Sequence, residues 1–133
     1  MSKTSAHNPA DFKETLPPSC PPKDAVKGAY EKAFRLVPAN PATEEDFKSH
    51  AAKGKNPPPD ADLCRWASCS LFTVKPTAAT LLPRLRAKYS FVAILKLVSG
   101  CGYMKEENGH IDFWMFKSFD PVAAILAIEK LDA

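Results

Sequence analysis

Glycine is scarce in this chain, with five in 133 residues. Phosphate-cradling loops are built on closely spaced glycines, and so few leave little room for one. No Walker loop, G-x-G-x-x-G, H-E-x-x-H or G-x-S-x-G segment occurs. Long apolar runs are also missing. None approaches the ~20 residues needed to cross a bilayer, so no membrane partner is expected. The four cysteines, Cys20, Cys64, Cys69 and Cys101, include no C-x-x-C pair and no Cys/His zinc spacing. They predict four reduced, mostly buried thiols and no metal site, with pairing the alternative in an oxidising compartment. A strong charge of one sign is absent too. Lys and Arg number 18 against 15 acidic residues, a net +3 that permits phosphate contact but disfavours a dedicated nucleic-acid binder. The first nine residues, Met1 to Pro9, lack the apolar core of a signal peptide, and the expected location is cytoplasmic.

What is present describes an ordinary globular domain. Apolar residues make up 45% and charged residues 25%, in a length that can bury one core. Proline is unevenly placed, with 12 of 13 before Arg84. Proline fixes φ and removes a backbone donor, so residues 1–22, ending in Pro17-Pro18-Ser19-Cys20-Pro21-Pro22, are predicted to be a proline-rich tail whose end lies over the domain. Residues 23–133 are then a single α+β domain with a mainly antiparallel sheet and three to four short helices.

The pattern predicts a helix from Lys23 to Leu36, with a short strand through Ala33–Val37 as the alternative. Thr43, followed by Glu44, Glu45 and Asp46, marks a second helix that ends at Gly54 and carries Phe47, His50 and Ala51 on its inner stripe. His50 is expected there as a core histidine. Leu63–Thr73 reads as a strand and Pro76–Leu82 as a helix limited by Pro83. Tyr89–Val98 is an apolar strand, and Glu106-Glu107-Asn108-Gly109 is a sharp turn before a second strand. Asp120-Pro121 opens a C-terminal helix over Val122–Leu131, with a strand held as the alternative because Val122, Ala124, Leu126 and Ile128 alternate.

The strand after Gly109 supplies the first candidate site. Period two puts Ile111, Phe113 and Met115 on one face and His110, Asp112, Trp114 and Phe116 on the other. A carboxylate beside an imidazole orients the ring and raises its basicity, and an indole can stack on a ligand ring. The plainer alternative has His110 solvated after its turn and Trp114 and Phe116 packed beneath the C-terminal helix. Arg84, Arg86 and Lys88, with Tyr89, form a small basic cluster suited to phosphates or to a solvated surface. No motif supports a cysteine nucleophile.

Three further segments bear on function together. They are Phe34-Arg35-Leu36-Val37, Arg65-Trp66 followed by Ser70-Leu71-Phe72-Thr73, and Pro76–Leu82 followed by Phe91–Leu97. In combination they resemble RES-type domains, distant relatives of ADP-ribosyltransferases. The first segment resembles the family's arginine-bearing first strand. The second resembles its Arg-Trp-Asn segment and aromatic-Thr-Ser strand end, with Ala67 in place of the asparagine and Val74 in place of the serine. The resemblance covers residues 33–97. It implies NAD as cofactor or substrate, with Arg35 and Arg65 binding it and Thr73 shaping the pocket. The residues also allow a plainer role, with Arg35 and Arg65 paired to carboxylates and Thr73 capping a helix.

The primary expectation is a small binding domain for a protein or small-molecule partner, acting through His110, Asp112 and Trp114. The alternatives are an NAD-consuming or ADP-ribosyl-transferring enzyme around Arg35, Arg65 and Thr73, and a phosphate or nucleic-acid binder.

Overall fold

One antiparallel sheet organises the chain. The computed structural model describes residues 11–132. Its strands are β1 (Tyr30–Val37), β2 (Cys69–Phe72), β3 (Phe91–Leu97), β4 (Gly102–Glu107), β5 (His110–Met115) and β6 (Ile125–Lys130). They lie in the order β4-β5-β2-β1-β3-β6, and every neighbouring pair is antiparallel. Two short α-helices accompany them among the described residues, α1 (Leu63–Trp66) and α2 (Pro83–Lys88). The small α+β domain and its antiparallel sheet are as expected. The three to four helices are not, because most of the anticipated helices are single turns or strands.

Each departure has a local cause. The segment given to the first helix is β1, and the alternative strand at Ala33–Val37 lies inside it. Pro38 biases Val37 toward extended backbone, and β1 pairs along its length with β3, so tertiary pairing overrides helical spacing. The second helix is one 3₁₀ turn, Glu44–Phe47. Thr43 donates its N–H to Asp46 Oδ2 at 2.8 Å, so the start signal was sound. The helix stops because Ser49 gives both its N–H and its hydroxyl to the Glu14 carboxylate, at 3.0 and 2.6 Å, which takes that N–H out of any helical ladder. Asp62 Oδ1 caps α1 through the N–H groups of Cys64 and Arg65, at 3.0 and 3.2 Å, so the first half of the anticipated strand is helical. Pro83 begins α2 where it was expected to limit an earlier helix, and only a 3₁₀ turn, Ala78–Thr80, precedes it.

At the C-terminus, Asp120 caps a turn through Val122 and Ala123, but the chain then extends as β6 along β3. The alternation held in reserve is the fold. β4, which the sequence reading did not assign, pairs with β5 across Asn108-Gly109. Both turn residues have positive φ, 52° and 81°, the geometry of the two-residue hairpin turn that follows strand twist.

The sheet is covered on both faces. One face packs Ala33, Val37, Leu71, Ala93, Leu95, Leu97, Ile111 and Phe113 against Phe47. The opposite face carries two separate apolar clusters. Phe34, Leu36, Val92 and Ile94 sit under Leu81, Tyr89 and Leu131. Tyr103 and Trp114 sit under Phe12, Cys20 and Ala25. β2 and the first half of β5 lie between those clusters, and on that face they carry the polar Ser70, His110 and Asp112 together with Phe72.

The described part of the proline-rich tail, residues 11–22, lies on the domain. Phe12 bridges to Phe116 and Lys13 N–H donates to Met115 O at 3.0 Å. Residues 1–10 of that tail lie outside the described residues. Cys20 is joined to Cys64 by a disulfide, while Cys69 and Cys101 are free and buried. The expectation of four reduced thiols fails at that pair, and the cysteines no longer argue for a reducing compartment. Among the described residues no helix is long and apolar enough to cross a membrane.

Candidate functional site

A cavity of about 400 Å³ opens over the polar stretch of β2 and β5. The sheet forms its floor through Ser70, Phe72, His110 and Asp112. Its walls are the 48–53 turn, with Lys48, Ser49, His50 and Lys53, and α1 with Arg65 and Trp66. Tyr89, just after α2, also lines it. Such a volume is ordinary for a small-ligand site.

The floor is a connected polar network. Ser70 faces Asp112 directly across the β2–β5 ladder, and His110 lies one diagonal step away on the same face. Ser70 Oγ is hydrogen-bonded to His110 Nε2. His110 Nδ1 lies 3.4 Å from Asp112 Oδ1. Asp112 is 5% exposed, so its charge needs partners. Arg65 Nε donates to its Oδ2 at 3.1 Å, and Ser68 Oγ lies 3.4 Å from its Oδ1 while donating to Arg65 O at 2.7 Å. Burial pulls the His110 pKa below its ordinary value. Asp112 works against that shift, and Arg65 and Arg35 work with it.

The walls are cationic and aromatic. Arg35 reaches the cavity from β1 and donates to three backbone carbonyls, from Nη1 to Ser70 at 2.7 Å, from Nε to Asp46 at 3.1 Å and from Nη2 to Lys48 at 3.5 Å. Carbonyls carry no formal charge, so Arg35 ties β2 to the 44–48 turn and keeps its positive charge. Two of its five N–H groups are not used by those bonds. Arg65 is 55% exposed in its side chain and uses only Nε on Asp112, leaving four guanidinium hydrogens beyond that pair. Lys48 and Lys53 complete the lining cations, against Asp62 and Asp112.

His50 and Trp66 stack with ring centroids 4.5 Å apart and planes 31° from parallel. Trp66 Nε1 donates to Lys55 O at 3.0 Å, which fixes the indole. The His50 pKa is lowered, first by burial and then by Lys55, Arg35, Lys53 and Lys88. Lys55 is itself lowered, mainly by its contact with Lys88. Four cations acting on one imidazole, and two lysines held together, mark a local excess of positive charge that the overall +3 conceals.

The candidates from sequence divide accordingly. Arg35, Arg65, His110 and Asp112 meet in this one cavity. Trp114 does not join them, although it shares their face of β5. It is 2% exposed beneath the N-terminal segment, and its Nε1 donates to Cys64 O at 3.0 Å. Thr73 is outside the cavity and closes the β2–β5 pair, its N–H donating to Gly109 O at 2.9 Å. It caps no helix. His50 is an exposed wall residue and not the core histidine expected, because the helix meant to bury it is a turn. Of the basic cluster, only Tyr89 lines the cavity, with Lys88 Nζ 5.3 Å from its ring centroid.

The sequence reading missed His50, Lys53, Ser68 and Ser70 as site residues. Ser70 was signalled by the same alternation that selected Asp112, once β2 is registered on β5. His50 and Lys53 had no local signal. Comparison with family models, with curated proteins and with solved structures gives no match. The likeness to RES-type domains therefore rests on the residues themselves.

Proposed function

We propose that this chain binds a phosphate-bearing small molecule of the nucleotide class in the cavity above β2 and β5, with NAD the member that the RES-type resemblance names. One observation carries the reading: Arg35, Lys48, Lys53 and Arg65 line the same cavity as the His50–Trp66 stack and Tyr89. Guanidinium and ammonium groups hold phosphate oxygens, and the rings offer a face to a base or nicotinamide. Arg35 and Arg65, the two arginines the resemblance assigns to NAD, are both in the lining. Thr73 has no place in this version, and neither does Trp114. Of the His110, Asp112 and Trp114 set expected to bind a protein or small-molecule partner, His110 and Asp112 line this cavity and Trp114 is covered.

A melting screen tests the proposal. Pyrophosphate, ADP, NAD and a short oligonucleotide are each added to the whole chain, and unfolding is followed by fluorescence. A ligand at 100 times its Kd stabilises by about 2.7 kcal/mol, which is readily seen as a shift in Tm. ADP or NAD shifting Tm more than pyrophosphate, in a salt-dependent way, supports a nucleotide site. No shift from any of the four removes the proposal. A shift from the oligonucleotide alone replaces it with the nucleic-acid alternative. Nicotinamide released on incubation with NAD would extend binding to consumption.

A further inference from the structure

The floor of the cavity holds more than a binding surface needs. Ser70 Oγ is hydrogen-bonded to His110 Nε2, and His110 Nδ1 lies 3.4 Å from Asp112 Oδ1, so the three stand in the order hydroxyl, imidazole, carboxylate. That is the connectivity of a serine nucleophile, its general base and the group that orients the base. We propose that Ser70 is a reactive nucleophile activated by His110, and that the site hydrolyses carboxylic esters carrying an anionic group. The inference does not require a nucleotide. It rests on three side chains fixed by one strand pair.

The register explains why the three meet. Ser70 is opposite Asp112 and diagonal to His110, so β2 and β5 hold them without help from a loop. Asp112 is also held by Arg65, whose Nε donates to Oδ2 at 3.1 Å, leaving Oδ1 on the side of Nδ1 at 3.4 Å. With a carboxylate at Nδ1, the neutral tautomer carries its proton there and leaves Nε2 free to accept. The groups around His110 are Asp112 on its own strand, Glu107 opposite it on β4, Arg65 from α1, Arg35 from β1, and the uncharged Ser70 and Phe72 of β2. Their balance, with burial, keeps the ring neutral near pH 7, the form that a base requires.

The chemistry balances within the site and water. Ser70 Oγ bonds to the ester carbonyl carbon while its proton passes to His110 Nε2, and the carbonyl oxygen becomes an oxyanion facing the positive field of Arg35 and Arg65. Collapse breaks the bond to the leaving alkoxide, which takes the proton from His110. Water then repeats the cycle on the acyl-serine, releasing the acid and restoring Ser70. Ser70 and His110 are catalytic residues in this scheme, and Asp112 is a positioning residue.

The test uses a fluorophosphonate, whose phosphorus accepts the serine oxygen and expels fluoride. Wild-type chain is labelled at pH 8 and the adduct is located by peptide mass spectrometry. The expected result is one adduct on Ser70. Ser70→Ala abolishes it, and His110→Gln slows it by about 10²- to 10⁴-fold, the usual contribution of a general base. Circular dichroism establishes that each variant is folded. The wild-type labelling rate should rise with pH to a plateau, with a midpoint below 6.5. Asp112→Asn should move that midpoint lower, which a purely structural role would not do. A folded wild-type chain unlabelled at Ser70 overturns the inference, and so does a folded His110→Gln variant labelled as fast as wild type. Should a variant not fold, the wild-type profile decides alone: a rate that climbs through pH 8 without a plateau overturns it. A chain that is labelled but unshifted by nucleotides retains this inference and loses the nucleotide proposal. One shifted but unlabelled does the reverse.

Discussion

Replacing Arg35 by lysine separates two roles that the resemblance and the geometry assign to one side chain. If Arg35 serves mainly to contact ligand, lysine keeps the charge and folding is untouched. The structure gives it a structural task as well. Its guanidinium spans carbonyls from Ser70, Asp46 and Lys48, at 2.7, 3.1 and 3.5 Å, and so joins β2 to the turn that carries the cavity wall. A lysine ammonium is a compact donor and cannot reproduce a planar fork reaching three acceptors. It keeps one bond and forfeits the others. At about 1 kcal/mol for each net hydrogen bond, the expected loss is about 2 kcal/mol. For a domain of this size that corresponds to a fall in Tm of about 6–10 °C. Thermal melts and urea titrations of Arg35→Lys without ligand measure it directly. A variant that melts within about 1 °C of wild type, with an unchanged urea midpoint, refutes the reasoning and leaves Arg35 as a ligand cation alone.

Trp66→Ala should weaken ADP binding by about 1–3 kcal/mol, the usual worth of a base stacked on an aromatic ring, while leaving pyrophosphate nearly unaffected in calorimetry. Trp114→Ala, in contrast, should cost about 3–5 kcal/mol of stability, because it empties a core position under the N-terminal segment. The folded-state pKa of His50 is depressed, so it is neutral at pH 7.5 and gains a proton only as pH falls below 6.5, and anion affinity should rise as pH falls through that range, with a matching rise in the His50 pKa by NMR when pyrophosphate binds. For the same reason, the stability that His50 and His110 contribute is present above pH 6.5 and lost as pH falls through their folded values, which ligand-free melts across pH 5–8 would show.

The parts of the fold legible in sequence were those whose signals are local. The apolar run of β3, the alternation of β5 and the Asn108-Gly109 turn all lie within a few residues of the features that mark them. The start signals at Thr43 and Asp120 each form their cap bonds, but the first opens a single 3₁₀ turn and the second a turn with no helix. Each helix then failed to continue, because its continuation was decided elsewhere in the chain. Ser49 is captured by Glu14, 35 residues away, and β6 is drawn onto β3. A cap marks where a helix can begin and carries no information about its length. Hence the number of helices was the weakest part of the reading and the sheet the strongest.

The site divides along the same line. Asp112 and His110 were visible because β5 alone puts them on one face. Ser70 needed the register of β2 against β5, and His50 needed the tertiary contact that ends its helix. Trp114 misled because period two fixes which face a side chain takes, and says nothing about what covers that face. Here the face is partitioned by the segment first read as a tail. Phe12 and Cys20 cover the Trp114 end. Glu14 holds Ser49 in the 48–53 wall, and Cys20 is bonded to Cys64 in α1, one residue before Arg65. Both walls of the cavity are therefore tied to residues 14–20. The proline-rich composition that argued against regular structure is compatible with this, since an extended segment needs no internal hydrogen bonds to lie across a sheet and supply side chains to it. The boundary at residue 22 marks a change in composition, while the site extends across it.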